Sequence, residues 1–139
     1  MNPGHDRNGL IVLDRQACLA RLAQRRLATL ALSDGALPVA VPAVYALADE
    51  TIYLAGSKGG LVGRCLPGSI VSLCVHDVDD DLTAGWSVTV TGLATPLKLA
   101  TTTLELLGFA RSPWLADEAS RIVVSLDTQR TTGREIVRA

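Results

Sequence analysis

Aromatic residues make up only 4% of this 139-residue chain, and it holds two histidines, three cysteines and a single methionine. A core with so few rings must be packed from Ala, Val, Leu and Ile, which supply most of the 48% hydrophobic fraction. Cys18, Cys65 and Cys74 are odd in number and lack C-x-x-C spacing, so neither a disulfide framework nor a zinc site is expected. They read as reduced cysteines in apolar stretches. With His5 and His76 remote from any Ser or Cys in a nucleophile setting, triad chemistry has no support. Charge of one sign is also missing: the net charge is −1 and the arginines are spread from Arg7 to Arg138, which excludes the basic footprint of a nucleic-acid binder. No apolar run approaches the ~20 residues a membrane span needs, and Met1 to Gly9 is polar, so a soluble cytoplasmic protein is expected.

Nucleotide fingerprints are absent as well. Gly59-Gly60-Leu61-Val62-Gly63 is not G-x-G-x-x-G, and Gly56-Ser57-Lys58 lacks the rest of a P-loop. The acidic run from Asp77 to Asp81 places Leu82 where a calcium loop needs Gly and Val88 where it needs Glu, so it reads as a solvated turn and no metal is expected.

What is present is β patterning. Asp14 is a helix N-cap, with Leu13 and Cys18 as a hydrophobic staple, for an amphipathic helix from about Arg15 to Gln24. Leu27–Ser33 and Leu37–Leu47 form two antiparallel strands across an Asp34-Gly35 turn. Pro38 and Pro42 share a parity, so both missing N–H groups fall on one lateral edge of the second strand, which must therefore be an edge or bulged. Asp49-Glu50 turns into a third strand, Thr51 to Ala55, and Leu61, Val62, Cys65 and Leu66 recur at helical spacing until Pro67-Gly68. Ser69–Val78 and Trp86–Pro96 alternate as strands. A helix over Ala100–Gly108 and a last strand over Arg121–Leu126 complete the pattern. Six mostly hairpin-linked strands with three short helices close best into a small barrel, because closure removes exposed edges. Residues 1–13 are expected to be a flexible N-terminal segment and 14–139 a single domain.

Three stretches, Leu37 to Leu47, Ile52 to Lys58 and Gly85 to Val88, resemble in order and spacing the flavin-binding split-barrel proteins of the pyridoxamine 5′-phosphate oxidase-like superfamily. The likeness continues through Ser112-Pro113-Trp114 and Thr132 to Ile136. It implies a mainly β fold, a six-stranded antiparallel split barrel of the FMN-binding type, forming a homodimer with FMN between subunits. By position, Pro42, Ala43, Val44 and Tyr45 would run along the flavin ring, Ser57 and Lys58 would meet the phosphate, and Trp86 and Ser87 would lie near the ring or the dimer seam. Each has an ordinary reading too: Tyr45 as a barrel residue, Trp86 as a core or dimer-contact aromatic, Lys58 as a solvated lysine. Where family members carry an Arg-Thr pair ending the third strand this chain has Leu54-Ala55, which removes a phosphate-binding cation that Arg64 would have to replace. The resemblance implies a flavin-dependent oxidoreductase acting on a small molecule. Its rivals are a reductase using the deazaflavin F420, consistent with two lysines against eleven arginines, and a cofactor-free dimeric binding module.

Overall fold

The computed structural model describes residues 4–98 and 121–136. The chain is mainly β, as the pattern requires, with β1 Ile11–Val12, α1 Arg15–Leu22, β2 Leu27–Asp34, β3 Leu37–Ala48, β4 Thr51–Ser57, α2 Leu61–Cys65, β5 Ile70–Val78, β6 Gly85–Leu93, β7 Thr95–Leu97, β8 Arg121–Asp127 and β9 Arg130–Ile136. All described strands belong to one antiparallel sheet in the order β1-β9-β6-β5-β2-β3-β4-β8-β7. The sheet curls into a split barrel around Leu30, Tyr45, Ile52, Leu54, Leu73, Val88, Val90, Val124 and Leu126, none of which is exposed.

Among the described residues nine strands replace the six expected. β9 escapes notice because its sequence, Arg130 to Ile136, is mostly polar and alternates no apolar side chains; it pairs with β6 along seven residues. The run from Trp86 to Pro96 is two strands, since Ala94 leaves the ladder to exchange hydrogen bonds with Gly68 and Ser69. Within residues 1–13, taken from the sequence as flexible, Ile11 and Val12 pair with β9 and the Asp6 carboxylate accepts the Asn8 and Leu10 N–H groups. The helix expected over Ala100–Gly108 and the Ser112-Pro113-Trp114 stretch lie outside the described residues.

Local chemistry accounts for the connections. Asp14 caps α1 by accepting the Ala17 N–H at 2.8 Å. The first hairpin turns at Gly35-Ala36, one residue beyond the expected pair, with Gly35 at φ 62° as a primed turn requires. The Asp49-Glu50 turn places both residues at positive φ, 49° and 62°, and costs strain that glycine would avoid. It is held by the Thr128 hydroxyl, which donates to the Glu50 carbonyl at 2.6 Å and accepts from Arg15 at 2.8 Å.

β3 carries the fold's main asymmetry. Along residues 37–44 it pairs with β2 alone among the described residues, and only residues 45–48 pair with β4. The Tyr45 N–H donates to the Arg26 carbonyl on the β2 side, so by alternation Pro38 and Pro42 turn their backbone nitrogens away from β2. The proline-marked edge inferred from the sequence is this one.

Candidate functional site

Strand alternation sorts the side chains of β3, β4 and β8 onto two faces. Tyr45, Ile52, Leu54, Val124 and Leu126 point into the barrel, whereas Val44, Ala55 and Val123 form a second, separate apolar cluster on the outer face, with Ala46 and Tyr53 against it. The three are between 5% and 8% exposed, so this small-residue cluster, here called the floor, is largely covered within one chain. Pro42 lies two residues along the same face of β3 and is exposed.

One end of this floor is polar. Ser57, the last residue of β4, shares the face of Ala55 and stands opposite Arg121 of β8. Lys58 follows in an exposed turn whose shape depends on the next helix: the Ser57 carbonyl accepts the Gly60 N–H at 3.1 Å. Gly63 then packs so closely that a Cβ there would sit 2.0 Å from the Ser57 oxygen and 2.8 Å from the Lys58 Cα. Glycine at 63 is thus what allows α2 to seat against the turn, although it weakens the helix intrinsically. Arg64 is exposed on α2, while its neighbours Leu61, Val62 and Cys65 pack towards the core. Among the described residues neither Lys58 nor Arg64 forms an ion pair.

The remaining candidates sit elsewhere. Ala43 and Tyr45 turn inward, and Tyr45 is fully buried with its hydroxyl donating to the Leu22 carbonyl at 2.6 Å. Burial pushes its phenol above the ordinary tyrosine range. The Tyr45 side chain therefore pins β3 to α1 and belongs to the core. Trp86 is 6% exposed and also joins the core, beside a pocket of about 140 Å³ lined by Leu10, Val78, Ser87, Arg134 and Ile136. Ser87 alternates with the buried Trp86 and Val88 and is therefore on the outer face, opposite His76 of β5, which pairs with β2 and through it with β3. Three strand spacings separate it from Val44, about 14 Å along the sheet. One copy of the chain thus gathers Pro42, Val44, Ser57 and Lys58 around one floor but leaves Trp86 and Ser87 apart. In the acidic run Asp79 accepts from the Thr83 N–H, the Thr83 hydroxyl and the Ala84 N–H, and Asp77 pairs with Arg25.

Arg121, which sequence reasoning passed over, stands opposite Ser57. Its position at the head of the last alternating strand was visible, but only the β4–β8 register sets it across from Ser57.

Comparison with known proteins agrees with this architecture. The barrel superposes on a FAD-binding protein from Mesorhizobium loti with a TM-score of 0.71 and 23% identity over 92% of this chain and 99% of that one. A FAD-binding protein from Mycobacterium smegmatis gives 0.70 and 17% over 92% and 99%. A FAD- and haem-binding protein from the same organism gives 0.73 and 19%, over 88% of this chain and 71% of that one. No curated protein matches the sequence. The family model described as pyridoxamine 5′-phosphate oxidase matches residues 14–138, from the N-cap of α1 to beyond the end of β9. The chain belongs to the pyridoxamine 5′-phosphate oxidase family.

Proposed function

We propose that this chain is one subunit of a homodimeric, cytoplasmic flavoprotein oxidoreductase, binding a flavin nucleotide on the outer face of β3, β4 and β8. The observation that carries this reading is the apolar floor of Val44, Ala55 and Val123 ending at Ser57 and Lys58. A flavin has a largely apolar ring and an anionic tail, and the order of apolar cluster then Ser57 and Lys58 along β4 supports that reading. Pro42 and Val44 border the ring edge, Ser57 and Lys58 the phosphate. Hydride transfer is chemistry the flavin supplies when bound; the chain positions it and shields one ring face. The resemblance favours FMN, whereas the three structural neighbours named above bind FAD, and the family's name does not license vitamin B6 as substrate.

The second copy follows from the gap between the two groups of candidates. A partner laid over the outer face would bring its Ser87 to the Pro42–Val44 edge and cover Leu27, which is 46% exposed. One observation favours the cofactor-free alternative: β4 has no cation where it meets the site, since Leu54 is core and Ala55 is floor.

Purification decides between these readings. Yellow protein that releases FMN or FAD on denaturation and sediments as a dimer supports the proposal. Colourless protein that shifts the fluorescence of added F420 replaces flavin by deazaflavin, and indifference to every one of these cofactors leaves the binding module.

A further inference from the structure

We infer that the apolar hollow on the outer face of β6 and β9 is the substrate subsite, and that it takes an uncharged molecule through one ring-sized apolar group. The inference rests on the flavin reading above, in which a second copy brings Ser87, one wall of this hollow, to the Pro42–Val44 edge. The hollow measures about 140 Å³ and its lining is almost wholly apolar. Val78, Gly85 and Ile136 form one cross-strand row over β5, β6 and β9, and Ser87 and Arg134 are opposed in the next row on that face. Both rows point outward, because Ser87 alternates with the buried Trp86 and Val88. Gly85 puts no side chain between Val78 and Ile136, and that opening is built into the backbone. At Gly85 φ is 138°, and a Cβ there would lie 2.3 Å from the Asp77 oxygen and 2.5 Å from the Val78 Cα. Leu10 walls one side from the N-terminal turn that the Asp6 carboxylate shapes.

Charge selects against anions here. Arg134 is the one charged residue among the described lining. Its Nε lies 3.3 Å from the Asp6 carboxylate, and its Nη1 donates to the Gly133 carbonyl at 2.9 Å. The guanidinium is therefore already matched, and an entering phosphate or carboxylate would lose its water to an apolar wall without gaining a free cation. The Ser87 hydroxyl, by contrast, has no hydrogen-bond partner among the described residues. It offers one neutral hydrogen bond at the edge of the hollow. An apolar cavity of about 150 Å³ holds benzene, so a six-membered ring bearing a hydroxyl or carbonyl matches both the size and the chemistry. A phosphorylated vitamin, which the family's name suggests, does not.

Titrating the flavin-loaded dimer with phenol, benzoate and phenyl phosphate tests this, with binding followed by saturation-transfer NMR and the visible flavin band read alongside. Phenol is expected to bind and to shift the flavin spectrum, and both anions to bind more weakly by about tenfold or more. Leu10→Trp, which fills the hollow from outside the barrel, should abolish phenol binding with flavin retained; Val78→Phe stands in should Leu10→Trp disturb the N-terminal turn. Asp6→Asn keeps an oxygen for the turn but unmatches Arg134, and should strengthen benzoate binding about tenfold. An anion bound as tightly as phenol by the wild type, phenol bound equally by the filled variants, or no phenol binding at all overturns the assignment while the flavin reading stands. So does phenol binding that leaves the flavin spectrum unmoved, or benzoate indifferent to Asp6→Asn. Purified protein that binds phenol but no flavin overturns the flavin reading and the substrate role with it.

Discussion

Replacing Tyr45 by Phe separates the core reading of this residue from a cofactor role. The phenol is fully buried and donates at 2.6 Å to the Leu22 carbonyl, at the end of α1. That carbonyl also accepts the Arg25 N–H at 3.3 Å, so the substitution does not orphan it. The loss should fall in the lower part of the range for a buried hydrogen bond, about 1–2 kcal/mol. With an unfolding entropy of about 2.1 cal/mol/K per residue, a chain of this length loses roughly 3–7 °C in Tm. A second signature comes from pH. The folded-state pKa of Tyr45 is raised by burial, so the folded protein keeps a proton that the unfolded chain gives up near pH 10. The contribution is intact below pH 10 and is lost as pH rises towards the folded pKa, with a slope of about 1.4 kcal/mol per unit from this one group. Differential scanning calorimetry from pH 7 to 11 should show the wild type losing stability more steeply than Tyr45→Phe above pH 10. Flavin affinity should not change. An unaltered Tm with the same alkaline slope, or a large drop in flavin affinity, refutes the placement of Tyr45 in the core.

Gly63→Ala should lower Tm and weaken flavin binding together, because the added Cβ collides with the Ser57–Lys58 backbone; Gly59→Ala, with open space around it, is the matched control in thermal melts and titrations. Glu50→Gly should raise stability by about 0.5–1 kcal/mol by relieving positive φ, read from denaturant midpoints, since the Thr128 hydroxyl bonds the backbone at that position and survives the change. Lys58→Ala should weaken FMN about tenfold and leave riboflavin unchanged, as expected for an exposed cation beside the phosphate. Cys18 is buried and its thiol is pushed up by burial, so a thiol reagent should modify Cys65 and Cys74 in the native protein and reach Cys18 only on unfolding.

Where hydrophobic period and turn chemistry coincide, the elements were legible before the fold was known. Asp14 caps α1, Pro38 and Pro42 mark the edge of β3, and Val71, Leu73 and Val75 line the inner face of β5, because each depends on chemistry within a few residues of chain. β9 was not legible: its strand character comes from pairing with β6 and from Gly133, which lets the Cys18 sulfur approach, and no local apolar alternation announces it. β1 is two residues long and exists because β9 offers it an edge.

The sequence by itself singled out Pro42, Val44 and Ser57 as candidates, and it determined that β4 has no cation of its own. Only tertiary structure decided which of their neighbours share a face. Parity sends Val44 outward and Tyr45 inward, but the partner opposite Ser57 is fixed by the register of two strands more than sixty residues apart in the chain. Local sequence carries the period of a strand; the side chain that faces it across a ladder is chosen by the packing of the whole sheet.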